Sequence, residues 1–331
     1  MGRSVREARG CGPMSFSPRD LAVPRAASGP VIEWEETDCL LCGGQRWSLL
    51  VEAPDMTTGG TGLWFAVVQC HDCGLCFTNP RPTPETIGQF YPDVYRPHHA
   101  PKGRKRSRWR LRLPLPWRQY GKDYPMIPMH GKGRLLDFGC GGGAYMERMH
   151  RQGWDVTGMD ASEAAIRRVR TEFRLRGLTG TLPHPALRPG SFDVITMWHS
   201  LEHVHQPLTV LQEAHRLLAP QGKLVVAVPN IDSSPFRWFG RAWYGLDLPR
   251  HLTHFTPWSL HLMLERAGFR VGPVRMVRHS DWMRWSAKLA RRTGRPVVWR
   301  RWLTAKPASR LASWYTYLIR QTDCILVTAE R

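Results

Sequence analysis

From position 134 the chain alternates two patterns. Short apolar runs occur at RLLDF (134–138), WDVTGM (154–159), FDVITMW (192–198) and GKLVVAV (222–228). Between them lie AYMERMHRQG (144–153), ASEAAIRRVRTEF (161–173) and PLTVLQEAHRLL (207–218), with apolar positions three and four residues apart. The first set predicts buried strands and the second amphipathic helices. A further helix, WSLHLMLERAGF (258–269), and two strands, RVGPVRMV (270–277) and DCILVTAE (323–330), extend the series. Apolar strands separated by amphipathic helices predict an α/β fold, a doubly wound parallel sheet covered on both faces.

The pattern is absent from the first 133 residues, which divide by composition. Residues 1–30 are rich in Arg, Pro, Gly and Ser without apolar periodicity and are expected to form a disordered arm. Residues 31–95 hold two CxxC pairs and end in CGLCFTNPRPTPETIGQFYPDVY, an extended exit leading to a short helical stretch from about Glu85. Residues 96–133 mix basic residues with Pro and Trp and read as a linker or cap. Within 134–331, insertions are expected at about 230–256, rich in aromatics, and at 281–320, basic, Trp-rich and helical. No internal repeat is present.

At 331 residues with 42% apolar content, the chain can bury the core of one ordinary α/β domain and a smaller unit. No apolar run long enough to span a membrane appears, and residues 1–20 lack a signal-peptide stretch, so a cytoplasmic protein is expected. The net charge of +20 is concentrated: 96–134 carries twelve Lys/Arg against Asp123, and 270–331 carries fourteen against Asp281, Asp323 and Glu330. Such a surface attracts anionic or phosphorylated ligands, nucleic acid or lipid head groups, or is simply solvated.

The chemistry begins at Leu135-Leu136-Asp137-Phe138-Gly139-Cys140-Gly141-Gly142-Gly143, where a strand turns into a helix. Glycines there let the backbone approach a ligand closely. Asp160, at the end of the next strand, can accept hydrogen bonds from both hydroxyls of an adenosine ribose. The glycines alone also satisfy the nicotinamide-enzyme pattern. Asp137 separates the two readings, because its carboxylate suits a cationic ligand carrying an ammonium and a sulfonium and is badly placed for a pyrophosphate.

Together with VTGMD, FDVITMWHSLEHV, HRLLAPQGKLVVAVPN and LERAGF, this loop resembles the class I S-adenosylmethionine-dependent methyltransferases, especially the ubiquinone-type O-methyltransferase branch. The resemblance spans 134–277 and returns at DCILVTAE. It implies a Rossmann-like sheet of seven strands with the last antiparallel, S-adenosylmethionine as cofactor, Asp137, Gly139 and Gly141 around its methionine part, and Asp160 on its ribose. Cys140 lies within the same loop. One departure is TLPHPALRPGSFD, which carries no acid before Asp193 where many relatives place one, so the adenine contact does not carry over.

Ligands of doubly wound sheets sit at the carboxyl ends of the strands, which places Trp198, His199, Glu202 and His203 near the departing methyl group. His199 and His203 are the two candidate bases for an acceptor that must lose a proton, and Glu202 stands beside them. Trp238, Trp243, Tyr244, Arg250, His251 and His254 lie in the first insertion, which reads as a lid over the pocket or as plain packing.

Cys39-x2-Cys42 and Cys70-x2-Cys73 can set four thiolates around one structural zinc, with Cys76 spare; the alternative is a set of unligated buried thiols. The segment also resembles the small zinc-ribbon entry module fused to many of these methyltransferases. A small-molecule acceptor, methylated at oxygen or carbon on a sugar, quinol or natural-product scaffold, is the expected substrate. An RNA or protein acceptor is the second reading, disfavoured because no recognised RNA-binding module is present. Peripheral membrane association through ASRLASWYTYLIR, which would favour a lipid acceptor, is the third, the alternative for that stretch being a helix packed on the domain.

Overall fold

The structure, a computed structural model, describes residues 31–56, 62–91, 127–293 and 301–331. The expected arm (1–30) and most of the basic linker (96–126) fall outside the described residues.

The main sheet contains β6 (Arg134–Phe138), β7 (Asp155–Asp160), β8 (Arg176–Thr179), β9 (Phe192–Trp198), β10 (Leu218–Pro229), β12 (Arg270–Val271), β13 (Arg275–Val277) and β14 (Cys324–Glu330). Its order is β12-β14-β10-β9-β6-β7-β8, with β13 also paired to β14. Strands β10, β9, β6, β7 and β8 are mutually parallel, whereas β14 runs antiparallel to its neighbours on both sides. With β12 and β13 as one strand interrupted at Gly272 and Pro273, this is the seven-stranded Rossmann-like sheet that the resemblance implies.

The helices follow the apolar periodicity. They are α1 (Ala144–His150), α2 (Glu163–Glu172), α3 (Pro207–Leu217), α4 (Ser234–Phe239), α5 (Pro257–Arg266), α6 (Ser280–Arg292) and α7 (Lys306–Leu318). Strand β9 shows why the strands are apolar throughout. Ile195 and Met197 join Leu211, Ala214, Leu260 and Met263 of α3 and α5, while Val194 and Trp198 join Met146, Met149, Ile166 and Val169 of α1 and α2. Both faces are covered, so polar alternation would cost burial on one of them.

A second, antiparallel sheet holds β2 (Trp47–Pro54), β3 (Trp64–Cys70), β4 (Cys76–Thr78) and β11 (Thr253–His254), in the order β11-β4-β3-β2. Beside it β1 (Trp34–Glu35) pairs with β5 (Arg81–Pro82). The cysteine segment therefore closes its sheet with a strand from the expected lid: Thr253 pairs with Phe77 and His254 with Cys76. Its apolar residues share cores with the larger sheet. Leu41, Val68, Leu75 and Phe77 lie in the cluster around Ile195, and Phe65, Val67 and Cys76 in a second with Trp243, Leu246 and Met283.

Candidate active site

The parallel register brings the ends of β6, β7 and β9 to one edge, and Cys324 of β14 reaches the same edge because it pairs with Pro229 at the end of β10. Gly139 opens the turn after β6 with φ +72°, and a Cβ there would lie 2.3 Å from the Cβ of Ser200. Only glycine fits this approach. The amides of Gly139 and Cys140 both donate to the Met159 carbonyl, and Ser200 Oγ donates to the Phe138 carbonyl at 2.9 Å. The loop is thus stitched to the strands on either side.

Asp160 is fixed by two backbone donors, Gly141 N–H at 2.8 Å and Ser162 N–H at 2.9 Å. Asp137 is buried beneath the loop, where Thr196 Oγ1 donates to it at 2.7 Å. Burial pushes its pKa up to about 7 against that hydrogen bond. A buried carboxyl held that high gains from a nearby cation, so this chain's residues fit a ligand with an ammonium group. Cys140 turns its thiol inward; a Cβ at Gly158 would meet its Sγ at 2.8 Å, and only its backbone faces the loop. Trp198 ends β9 with its ring edge-on to Tyr145, centroids 5.3 Å apart.

Past Trp198 the chain makes a sharp turn, with His199 at φ +50°, into a single 3-10 turn, Leu201–His203. Glu202 is fully buried, and neither oxygen has a hydrogen bond among the described residues. Its ion-pair contacts are His199 Nδ1 at 3.4 Å and His251 Nε2 at 4.0 Å. His203 Nδ1 lies 3.0 Å from the Arg250 carbonyl and 2.9 Å from the Tyr91 hydroxyl. Since a carbonyl only accepts, Nδ1 carries the proton and Nε2 the lone pair. Burial first, and then the neighbouring His251, push the His203 pKa down to about 4, against the pull of Glu202. The ring is neutral at physiological pH.

All three candidate acid–base residues therefore meet at one edge with the cofactor loop. The sequence reading missed Tyr91, on the connector from the cysteine segment, and the meaning of Arg250. The Arg250 guanidinium is fully buried, bonds both oxygens of Asp55 at 3.0 and 3.1 Å, and also reaches Asp247 at 2.8 Å and the Phe90 carbonyl at 2.9 Å. His199 additionally meets Cys324, Nε2 to Sγ 3.9 Å, and the rings of His279 and Trp282 at 5.7 and 5.1 Å. Tyr91 had a tyrosine-rich context in the sequence, but no local pattern tied it to a histidine more than a hundred positions away.

The four cysteines form one group. Cys39 and Cys73 sulfurs are 3.4 Å apart, Cys42 and Cys70 3.5 Å, and all four fall within 4.8 Å of one another. Sulfurs on a tetrahedral zinc stand about 3.8 Å apart, so the donor set fits. Each pair sits in a matching turn: Gly43 N–H donates to the Cys39 carbonyl and Gly74 N–H to the Cys70 carbonyl, with both glycines at positive φ. Cys76 lies on β4 and packs its side chain into the core beside Phe65 and Phe90, outside the group.

The sheet order, the glycine turn and the acid after β7 define a nucleotide-cofactor fold of the class I methyltransferase type. A methyltransferase domain family matches residues 103–273. The ubiquinone biosynthesis O-methyltransferase of Xanthomonas euvesicatoria pv. vesicatoria is 30% identical over 175 residues, covering 48% of this chain and 72% of that protein. Its counterpart from Psychrobacter arcticus is 33% identical over 150 residues, 41% of this chain and 58% of the relative. A crystal structure of an S-adenosylmethionine-dependent methyltransferase from Mesorhizobium loti covers 62% of this chain and 94% of its own, at 22% identity and TM-score 0.44. The chain belongs to the methyltransferase domain family and is an S-adenosylmethionine-dependent methyltransferase.

Proposed function

We propose that the enzyme methylates an oxygen or an acidic carbon of a small-molecule acceptor, on a quinol, sugar or natural-product scaffold. The observation that carries this reading is the neutral His203 beside buried Glu202, one turn past Trp198 at the cofactor edge. A neutral amine attacks through its own lone pair and can shed its proton to water afterwards, whereas a hydroxyl or enol becomes an adequate nucleophile only as a base removes its proton. The names of the relatives, which are O-methyltransferases of ubiquinone biosynthesis, support the same class.

Asp137, the backbone of Gly139, Cys140 and Gly141, Asp160 and Trp198 would hold S-adenosylmethionine, which supplies an electrophilic methyl on a sulfonium. The residues of this chain orient the acceptor in line with that methyl and exclude water, which is where most of the catalysis lies. His203 Nε2 takes the acceptor proton while Nδ1 stays bonded to the Arg250 carbonyl, and Glu202 stabilises the resulting imidazolium. Tyr91 positions His203. His199, on the other side of Glu202, is the alternative base. Cys39, Cys42, Cys70 and Cys73 would hold a structural zinc; with four sulfurs on the ion no position is open for chemistry.

The test is transfer of labelled methyl from S-adenosylmethionine into a host-cell extract separated into small-molecule, lipid, RNA and protein fractions. Label in the small-molecule fraction that falls about 10²–10⁴-fold with His203→Gln, at unchanged cofactor binding, supports the proposal. Label confined to RNA or protein overturns the acceptor class, and loss with His199→Gln alone moves the base to His199.

A further inference from the structure

Helix α7 is built inside out. Its buried positions are Ser309, Ser313 and Thr316, each 2% exposed, whereas Leu311 is 72% and Leu318 75% exposed. The buried hydroxyls are satisfied within the helix: Ser309 donates to the Lys306 carbonyl, Ser313 to that of Arg310 and Thr316 to that of Ser313. Small, internally bonded residues let α7 lie close on α6 without a stranded polar group. In return every large residue but one half-buried tyrosine faces outward.

The outward residues are ordered. Leu311, Trp314, Tyr315 and Leu318 follow the spacing i, i+3, i+4, i+7, with exposed Ile319 beside Leu318 at the end of the helix, and Trp302, before the helix, is exposed as well. An apolar stripe of this period normally faces a core. Its rim is basic: Arg301, Lys306, Arg310 and Arg320 are all exposed, and residues 301–322 contain no Asp or Glu. The Arg278 guanidinium lies over the Trp314 ring at 4.0 Å.

We propose that this face docks on an anionic phospholipid bilayer, with α7 lying in the plane of the interface. Charge decides the occupant. A second copy laid against the stripe would oppose basic rim to basic rim, with no acid in residues 301–322 of either copy, whereas anionic head groups neutralise it. Trp and Tyr rings beside Leu and Ile match the boundary between head groups and acyl chains, where an amphipathic ring has its polar end wet. The chain's net charge of +20 draws it to the same surface. Docking there sets α7 on the bilayer one helix away from His199, since Trp282 in the first turn of α6 packs on that ring.

The experiment is co-sedimentation of the full chain with vesicles of phosphatidylcholine alone and of phosphatidylcholine with phosphatidylglycerol. The expected result is partitioning onto the anionic vesicles that falls about tenfold or more in Leu311→Ser/Leu318→Ser, because two apolar side chains no longer enter the interface. Both positions are exposed, and unchanged circular dichroism and S-adenosylmethionine binding of the variant show that the fold and the cofactor site are intact. Absence of wild-type binding, or equal binding by wild type and variant, overturns the proposal. So does a wild-type dimer in light scattering that the variant dissolves, since a second copy would then cover the stripe.

Discussion

Replacing Arg250 by Met tests whether the cysteine segment and the methyltransferase sheet are held as one unit. The guanidinium is fully buried and bridges Asp55 after β2, Asp247 in the lid and the carbonyl of Phe90 in the connector. Burial alone would push its pKa down, but the two aspartates overcome this and raise it well above the usual guanidinium value. Met roughly fills the space, so the cost is mainly electrostatic: Asp55, with no exposed side-chain surface, loses its counter-ion. Removing one partner of a buried pair costs about 3–5 kcal/mol, two to three decades or more in the folding equilibrium. Urea unfolding of Arg250→Met should show a lower midpoint at unchanged slope. Asp55→Asn in the same chain should recover part of the loss, so that the double variant costs less than the sum of the singles. A cost below about 1 kcal/mol, or strict additivity, would refute the role assigned to this pair.

Cys70→Ser should remove the one zinc expected per chain and lower the thermal midpoint, read by metal analysis after gel filtration and by calorimetry; wild-type protein without zinc ends that assignment. The pH dependence has a definite sign at His254, whose pKa burial, and then His251, push down to about 3. Its folded pKa lies below its unfolded one, so between about pH 6.5 and 3 the unfolded chain binds the proton more readily and acid draws the protein toward unfolding; above that window the contribution is fully present. His254→Gln, which can still donate to Thr78 Oγ1 as the ring does at 3.1 Å, should therefore lose less stability than wild type between pH 7 and 5. Equal losses would show that His254 is not held neutral.

Strands β6, β7, β9 and β10 are legible because a sheet covered on both faces demands unbroken apolar runs. Strand β8, Arg176–Thr179, carries no such signal: its one fully buried residue is Gly177, placed where a side chain would press on Ile166. Strand β11 is two residues long and pairs with a strand some 175 positions earlier in the chain, which no local periodicity can announce. The same holds for the site. The glycine turn and Asp160 are a continuous local motif and could be read directly. Tyr91 meets His203 across 112 positions and Arg250 meets Asp55 across 195, so their partners exist only after folding. Cys76 shows the limit in the other direction. Spacing offered three sulfurs in the second half, and only the alternation along β4 turns the third into the core.

These long-range contacts change what the cysteine segment is for. Connections that run from it, or from the connector behind it, to the methyltransferase domain include the β4–β11 pairing, the Asp55–Arg250 pair, the Leu41 carbonyl bonded by Arg266, and Tyr91 on His203. Two of them converge on the same segment, because Arg250 supplies both the guanidinium that clamps Asp55 and the carbonyl that holds His203 Nδ1. The orientation of the candidate base is therefore set by the connector on one side and the clamped lid on the other, not by its own short 3-10 turn. A metal ion among the four sulfurs would stiffen the turns that hold β3 and β4, and through β11 the lid itself. A bound zinc would on this reasoning influence catalysis without any position open to substrate: its removal should loosen His203 first and leave Asp160, anchored by Gly141 and Ser162 within the larger sheet, in place.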